Sequence, residues 1–301
     1  MSLLYIRITI MNNYTIITPC YNEESVIEHF LRQLENTLKD IPANFNVIVV
    51  DDGSRITTKK ILREFKFGHT NIALELLELP YNQGHQRAIF NGLNHAGKFP
   101  SQGYIVLDSD GEDDVEAIKK LVDFTDFEAV FVTRGKRQES LLFKISYSAY
   151  KTLFKIIIGK KLNFGNYSMI NENIRQSIIA KNFIHYSAAI SRLKISTEYI
   201  QFDRKKRISG TSKMNFRSLF MHGLKSMVEY SEEFLYFFIK ILFFLILLSL
   251  LYITVILYKY FITKTAITGW SSTVLFGAIN AILTSAGIIF IGLLNLKQNN
   301  N

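Results

Sequence analysis

The stretch VLDSDGEDD, residues 106–114, carries an apolar run directly into a cluster of acids, and the other motifs of the chain are arranged around it. The apolar residues 104–107 are typical of a buried strand. Five carboxylates follow within seven residues, and they repel one another unless a cation lies among them. Because Gly111 allows a turn, Asp108 and Asp110 can converge on one hard cation such as Mg²⁺ or Mn²⁺, which prefers oxygen ligands.

The same acids have two other interpretations. An EF-hand calcium loop is excluded, because its glycine would fall at position 113, where this chain has aspartate. The N-terminus of a helix favours acidic residues, and Asp113 and Asp114 precede residues 115–122, whose apolar positions recur at helical spacing. We therefore expect Asp113 and Asp114 to cap a helix, and Asp108 and Asp110 to bind the metal.

The composition limits the class of protein. Of the 301 residues 48% are hydrophobic, the mean hydropathy is +0.13 and the pI is near 9.4, so we expect part of the chain to meet lipid. The single cysteine, Cys20, excludes a disulfide framework within the chain and a thiolate metal cluster. The net charge of +9 is compatible with nucleic acid, but no nucleic-acid motif is present. The basic run 204–207 favours an anionic lipid surface or a phosphate substrate instead.

Apolar runs of strand length alternate with helical patterns, and these runs are residues 14–18, 45–50, 72–79, 104–107 and 129–133. The alternation predicts right-handed βαβ units and an α/β fold with a mostly parallel sheet. In such sheets ligands bind beyond the carboxyl ends of the strands. The polar residues 19–23, 51–52 and 108–110 all fall at that edge, so we expect one binding site there.

Six short motifs occur in an order that resembles a known family: TPCYNEE (18–24), VDDGS (50–54), NQGH (82–85), LDSDGEDD (107–114), FGNYSMI (164–170) and RKKRISGTSKM (204–214). Together they are similar to family 2 glycosyltransferases of the GT-A fold. Within that family the chain resembles the membrane-bound polyprenyl-phosphate glycosyltransferases, which include dolichol-phosphate mannose synthases and bactoprenol glucosyltransferases. The resemblance begins at Tyr14 and covers nearly the whole remaining chain. It implies a Rossmann-like catalytic domain, a nucleotide-sugar donor and a metal cofactor.

The resemblance implies a nucleotide pocket whose base and ribose contacts are Pro19, Tyr21, Glu23 and Asp51, with Asp52 lining the same pocket. Tyr21 can pack on a ring, and Asp51 can accept a hydrogen bond from a ribose hydroxyl or a base N–H. The alternative for Asp51, Asp52 and Gly53 is a tight turn between strand and helix, closed by a capping aspartate.

The acidic cluster is the implied metal site. Asp108 and Asp110 would engage the metal, Mg²⁺ or Mn²⁺, together with the donor diphosphate. Glu112 stands where relatives often carry glutamine as a further metal contact, which would add charge to this site.

Basic residues are implied at the phosphates. Arg134 would lie near the acceptor phosphate, with a solvated charge cluster as the alternative. A flexible loop would close over the diphosphate, with Arg207, Ser212 and Lys213 as charge-assisted donors. A polybasic strip on anionic lipid headgroups is a second role for this loop, compatible with the first. The residues that we expect to contribute to catalysis are Asp110, Arg134, Arg207 and Lys213.

Two apolar stretches, 234–257 and 270–296, each exceed the roughly 20 residues that are needed to span a bilayer. In the second stretch Gly277, Ala281 and Ser285 recur every four residues. Small residues at this spacing favour close helix contact, either within the hairpin or between subunits of a homo-oligomer.

These patterns predict three regions: a GT-A catalytic domain at 1–212, an amphipathic juxtamembrane helix at 213–233 and a transmembrane hairpin at 234–301. Residues 1–10 lack the basic segment and the cleavage site of a signal peptide. We therefore expect an integral protein of a bacterial-type inner membrane, with its catalytic domain in the cytosol.

The resemblance implies transfer of a sugar from a nucleotide donor, UDP-linked as in UDP-glucose, to a polyprenyl phosphate. A phosphate monoester with a second pKa of about 6 is largely ionised at neutral pH, so it can attack without a general base. One alternative is an inactive transferase-like membrane module that serves as an assembly partner. A processive polysaccharide synthase is disfavoured, because the sole tryptophan, Trp270, lies in the apolar region rather than in a Gln-x-x-Arg-Trp motif.

Overall fold

A computed structural model describes residues 12–134, 152, 165–202, 229–265 and 269–299. The described residues form two compact units. The first contains the described residues up to Glu229, apart from residue 152, and the second contains residue 152 and the chain from Tyr230 onward.

The first unit alternates strands and helices in its first half. Its elements are β1 (Asn12–Cys20), α1 (Ile27–Leu38), β2 (Ala43–Asp51), α2 (Ile56–Glu64), β3 (Ile72–Glu78), α3 (His85–Ala96), β4 (Gly103–Val106), α4 (Ala117–Leu121), β5 (Ala129–Arg134), β6 (Ser168–Ile170), α5 (Glu172–Ala180), α6 (Tyr186–Arg192) and β7 (Thr197–Phe202).

The strands form one sheet in the order β3-β2-β1-β4-β6-β5-β7. Strands β1 to β4 pair in parallel, and β7 is parallel to β5. Strand β6 runs antiparallel between β4 and β5. The predicted α/β fold with a mostly parallel sheet is therefore confirmed, and the one reversed strand was not predicted.

Both faces of the sheet are buried. Along β1 the neighbouring residues Ile16 and Ile17 point to opposite faces, and neither has exposed surface. Phe30 of α1 packs on the first face, and Ile89 and Leu93 of α3 pack on the second. The crossover helices of βαβ units cover both faces of a parallel sheet, which explains why its strands read as continuous apolar runs.

The second unit contains α7 (Ser231–Tyr258), a π-helical segment (Lys259–Thr263) and α8 (Trp270–Asn299). Two helical stretches, Glu232–Thr263 and Ser272–Gly292, are long and apolar enough to cross a membrane. The predicted apolar spans lie within α7 and α8.

Small residues of α8 differ in what they face. A Cβ added at Gly292 would lie 3.2 Å from Cδ1 of Leu235 in α7, whereas one added at Gly277 would meet no atom within 4 Å. Ala281 is exposed and Ser285 is half-buried. Among the described residues, α8 therefore contacts α7 near Gly292, outside the predicted stripe, and close helix contact through Gly277, Ala281 and Ser285 stays a prediction.

Candidate active site at the carboxyl edge of the sheet

Three loops meet where β1, β2 and β4 end. These strands are parallel neighbours, and the register places Cys20 beside Asp51. The hydroxyl of Ser109 donates to the carbonyl of Pro19 at 2.7 Å, which joins the loop after β4 to the end of β1. The backbone N–H of Asn22 donates to Ser54 Oγ at 3.0 Å, which joins the loops after β1 and β2.

Asn22 is the residue that shapes the turn after β1, and sequence reasoning did not single it out. Its φ of 52° lies in the left-handed region, which asparagine tolerates better than most residues. Its Oδ1 accepts from the backbone N–H of Arg55 at 2.9 Å. In this turn the Tyr21 side chain is 42% exposed, and Glu23 is half-buried with its carbonyl accepting from two backbone N–H groups. The exposed ring of Tyr21 is therefore available to a ligand.

Cys20 is a buried filler rather than a reactive thiol. Burial, reinforced by the carboxylates of Asp51 and Glu23, raises the pKa of its thiol to about 12. The thiol therefore stays protonated at neutral pH.

Asp51 is fully buried at the end of β2. Its Oδ1 accepts from the backbone N–H of Ser54 at 3.1 Å, which is the capped turn that sequence reasoning held as the alternative. Its Oδ2 lies 3.8 Å from Nζ of Lys59. The two oxygens thus have different partners, because one closes a turn and the other faces a cation.

Asp52 serves the loop before α3. Its two carboxylate oxygens accept from the backbone N–H groups of Gln83 at 2.7 Å and of Gly84 at 2.9 Å. Burial raises the pKa of Asp52, and the two N–H groups only partly offset that shift. Through these two bonds Asp52 holds the loop at 82–85 beside the end of β2, and its place in the nucleotide pocket stays a prediction.

Gly53 is required by the approach of the same loop. Its φ is +69°, and a Cβ at this position would lie 2.5 Å from the backbone carbon of Tyr81. Only glycine lets the turn after β2 pass this close to the following loop.

The acidic loop after β4 is closed by its own carboxylates. Asp113, which is buried, accepts from the backbone N–H of Asp108 at 3.1 Å. Asp114 accepts from the N–H of Glu116 at 3.1 Å. The prediction that Asp113 and Asp114 cap the helix is wrong, because α4 begins at Ala117 without a side-chain cap. The two carboxylates instead accept backbone N–H groups in the turns that precede α4.

The carboxylates expected to bind metal are more accessible than that of Asp113. Asp108 and Asp110 are half-buried, and so is Glu112. The backbone N–H of Glu112 donates to Oδ1 of Asp110 at 3.0 Å, so one oxygen of Asp110 shapes the turn at Gly111, where φ is 76°. Two or three oxygen donors of the predicted metal site therefore lie within one short turn.

A chain of polar contacts crosses from α6 to Asp108. The backbone N–H of Tyr186 donates to Gln86 Oε1 at 2.7 Å, and a backbone N–H can only donate. This contact turns Gln86 Nε2 toward Asn166 Oδ1 at 3.3 Å, so that Asn166 Nδ2 lies 3.0 Å from His85 Nε2. His85 Nε2 is also 3.2 Å from Asp108 Oδ1. The NQGH and FGNY motifs thus meet at the acidic loop.

His85 responds to this acidic setting. Desolvation lowers the pKa of its imidazole, but the carboxylates of Asp108, Asp110 and Asp113 together outweigh it and raise the pKa above its ordinary value. The sequence showed the motif containing His85 but offered no sign that it contacts Asp108, because the two residues lie in separate loops.

The donor set fits a metal that arrives with a phosphate ligand. Within the described part of the chain, no three His, Cys, Asp or Glu side chains come together as a ready metal site. Mg²⁺ is commonly bound by one or two carboxylates, with substrate phosphates and water as its other ligands. Asp108 and Asp110 supply such a pair.

Of the residues predicted at the phosphates, the structure describes only Arg134. Arg134 ends β5 and is paired in register with Phe202 of β7, and in the sheet β6 separates β5 from β4. Arg207, Ser212 and Lys213 lie outside the described residues. The same holds for most of the predicted juxtamembrane helix at 213–233. Their roles stay predictions.

Comparisons with known proteins assign the chain to a family. The sequence profile of Glycosyl transferase family 2 matches residues 15–195. The chain is 26% identical over 274 residues to the uncharacterized glycosyltransferase YkcC of Bacillus subtilis (strain 168), covering 87% of this chain and 81% of that protein. It is 23% identical over 224 residues to the bactoprenol glucosyl transferase of Shigella phage SfV, covering 72% of this chain and 71% of that protein.

A solved structure with a similar fold is glucosyl-3-phosphoglycerate synthase from Mycobacterium tuberculosis in complex with Mn²⁺, UDP and glucosyl-3-phosphoglycerate. The TM-score is 0.52 at 14% sequence identity, and the match covers 74% of this chain and 80% of that one. At this level of identity the similarity concerns the fold.

Proposed function

Since this chain belongs to glycosyltransferase family 2, we propose that it transfers a sugar from a UDP-linked donor such as UDP-glucose to a polyprenyl phosphate at the cytosolic face of a membrane. The GT-A fold implied by the motifs is confirmed, and nucleotide-sugar glycosyltransferase activity is supported by the family. The nucleotide, the lipid acceptor and the metal are our proposal.

The observation that carries the proposal is the convergence of three loops at one sheet edge. Asp51, Asp108 and the exposed ring of Tyr21 follow three parallel neighbouring strands, and the bonds from Ser109 and Asn22 hold their loops together. A nucleotide needs a ring contact, a hydrogen-bond acceptor for its base or ribose, and ligands for the metal that binds its diphosphate. This edge supplies all three over adjacent strands.

Asp108 and Asp110, with Glu112 beside them, would hold Mg²⁺ or Mn²⁺. The bound metal would supply charge to stabilise the departing diphosphate. Asp110 is positioned for this role by the turn at Gly111, and Asp108 by the N–H bond to Asp113 and by the contact with His85. Arg207, Ser212 and Lys213 are the residues expected to donate hydrogen bonds to the diphosphate, and Arg207 and Lys213 would also add positive charge.

The acceptor needs no proton removed by the protein. A polyprenyl phosphate already carries the attacking oxygen as an anion at neutral pH. The acidic side chains named at the site have other roles, with Asp52 and Asp113 bonded to backbone N–H groups. Arg134 is our candidate for holding the acceptor phosphate, and we assign no general base.

The second unit supports a lipid acceptor. Two helical stretches of sufficient length and apolarity follow the catalytic unit, and a bactoprenol glucosyl transferase is among the relatives. We propose that they insert in a bacterial-type inner membrane with the catalytic unit in the cytosol. The exposed small residues Gly277 and Ala281 are our candidates for contact between subunits of a homo-oligomer.

The function is tested by incubating membranes that contain the protein with a panel of radiolabelled nucleotide sugars and then extracting lipid. We expect label in a lipid fraction that releases the sugar on mild acid treatment, with one donor preferred, and none from membranes carrying Asp110→Asn. Label in a water-soluble or polymeric product would contradict the acceptor assignment. No transfer from any donor would favour the alternative of an inactive assembly partner.

A further inference from the structure

The two oxygens of the buried Asp51 carboxylate differ in their hydrogen bonding. Its Oδ1 takes the Ser54 N–H at 3.1 Å, whereas Oδ2 is buried without a hydrogen bond from the described residues. The positively charged group in contact with Oδ2 is the ammonium of Lys59, at a distance of 3.8 Å. That distance is too long for a hydrogen bond but short for a Coulombic contact.

We propose that Lys59 is a positioning residue for nucleotide binding, which balances the charge of Asp51 and leaves Oδ2 able to accept a hydrogen bond from the nucleoside. The inference rests on the proposed function, because it takes Asp51 as the residue that receives base or ribose. A uracil imide N–H or a ribose hydroxyl would supply the donor that Oδ2 lacks.

Charge balance at Asp51 matters because its side chain has no exposed surface. An ionised carboxylate out of water is costly unless a cation lies close to it. The other basic side chains of α2 are directed elsewhere, since Arg63 makes two bonds of 2.9 Å to Glu78 and Lys60 lies 4.0 Å from Glu64. Among the described residues, Lys59 is the cation in ion-pair contact with Asp51.

The position of Lys59 depends on hydrogen bonds between the start of α2 and the loop after β1. Helix α2 starts directly after the Asp51 turn, and its first turn is tied to the loop after β1. The N–H of Arg55 donates to Asn22 Oδ1 at 2.9 Å, and Thr58 Oγ1 donates to Glu24 Oε2 at 3.0 Å. Lys59 directly follows Thr58, so the bonds to the loop that carries Tyr21 also help to place the Lys59 ammonium near Asp51.

A nucleoside can reach Oδ2 only if the side chain of Lys59 moves, because Oδ2 is buried. The side chain of Lys59 is 23% exposed, whereas Asp51 is fully covered. A long flexible side chain of this kind can shift outward as a nucleoside enters and still remain within Coulombic range of the carboxylate.

The test measures UDP affinity by calorimetry on the full chain in detergent, with Lys59→Met, Lys59→Arg and the control Lys60→Met. Lys60 is the next residue on the same helix, and its side chain is 73% exposed. We expect Lys59→Met to weaken UDP binding about threefold to tenfold, which is above the range for an exposed ion pair and below that for a fully buried one. Lys59→Arg should recover most of the affinity, and Lys60→Met should stay within about twofold of wild type.

Two further measurements separate positioning from other roles. In an Asp51→Asn background, Lys59→Met should cause no further loss, because its effect passes through the carboxylate. Binding of inorganic pyrophosphate, which has no nucleoside, should be the same in Lys59→Met as in wild type. Thermal unfolding of each variant checks that the protein is folded, and a purely structural lysine would lower the melting temperature without changing UDP affinity.

The outcomes distinguish this inference from the function on which it rests. If Asp51→Asn weakens UDP binding but Lys59→Met does not, the inference is wrong and the nucleotide site stands. If Lys59→Met costs the same in the Asp51→Asn background, or weakens pyrophosphate equally, Lys59 acts directly on the phosphates and positioning is refuted. If the wild-type protein binds no UDP, GDP, CDP or dTDP, the proposed function fails and takes the inference with it.

Discussion

Replacing Asp110 by Asn tests the metal assignment with little disturbance to the fold. The amide oxygen of asparagine can still accept the N–H of Glu112, which Asp110 accepts at 3.0 Å, so the turn at Gly111 is retained. The change also removes one of five crowded carboxylates. We therefore expect the free energy of unfolding to change by no more than about 0.5 kcal/mol, the scale of a surface substitution.

The expected loss of activity is much larger. A hydrogen bond or contact involving a charged group contributes about 1.5 to 3 kcal/mol, which is roughly 10-fold to 150-fold in rate or affinity. A metal ligand that also serves the diphosphate should lie at or above the upper end of this range. We therefore expect turnover to fall at least about 100-fold. The affinity for Mn²⁺ in the presence of UDP, measured by calorimetry, should weaken in parallel.

Asp114→Asn is the matched control. Asp114 lies in the same loop, is half-buried like Asp110, and uses Oδ1 in the same way to accept the N–H of Glu116. The substitution makes the same change in charge while leaving the predicted metal ligands intact, so activity should remain within about threefold of wild type. Wild-type turnover by Asp110→Asn, or equal losses in the two variants, would refute the metal assignment.

Three other expectations follow from the structure and the sequence. Gly53→Ala should destabilise the protein by about 2 to 4 kcal/mol in thermal or denaturant unfolding, because it combines left-handed strain with a backbone clash. Gly84 has a φ of +91° and a ψ of 150°, a conformation that is essentially restricted to glycine, but open space around its Cβ, so Gly84→Ala should cost about 1 to 3 kcal/mol from backbone strain alone, and losses equal to those of Gly53→Ala would count against the clash. Hydrogen bonding to Arg175 lowers the pKa of Glu172 to about 2, so this contact stabilises the fold above the ordinary pKa of 4.5 and loses its effect as the pH falls toward 2. Acid unfolding should therefore show Glu172→Gln less stable than wild type at neutral pH and equal to it near pH 2, and a constant difference would contradict the linkage. Arg134→Ala should raise the KM for polyprenyl phosphate about tenfold to a hundredfold without changing UDP affinity, and equal effects on both substrates would argue against an acceptor role.

The parallel sheet and its binding edge could be predicted from the sequence, because the information is local. Continuous apolar runs such as 45–50 report burial on both faces, and the polar residues after each run report where the chain leaves the core. The two long apolar helices were predicted for the same reason, since composition over about 20 residues is enough. Strand β6 was missed, because its three residues are too few to show a period.

The residues of the site were named from the sequence, but their partners were not. Asp51, Asp52, Asp108 and Asp113 look alike in a motif, yet Asp52 and Asp113 bond to backbone N–H groups of the protein, while Asp108 contacts His85. Asp51 divides its oxygens between a turn and Lys59. Motif spacing places a carboxylate at the sheet edge but does not say which N–H group or cation it will meet.

The contact between Asn166 and His85 shows the limit most clearly. The two residues are 81 positions apart, and they meet because β6 is inserted antiparallel beside β4 while α3 follows the Asp52-bound loop. By itself, the sequence determined which segments are buried and which polar residues follow the strands, since these depend on the hydrophobicity of neighbouring residues. Only the tertiary structure decided which carboxylates accept hydrogen bonds from the protein, because these bonds join groups that the order of the strands, and not their separation along the chain, brings within hydrogen-bond distance.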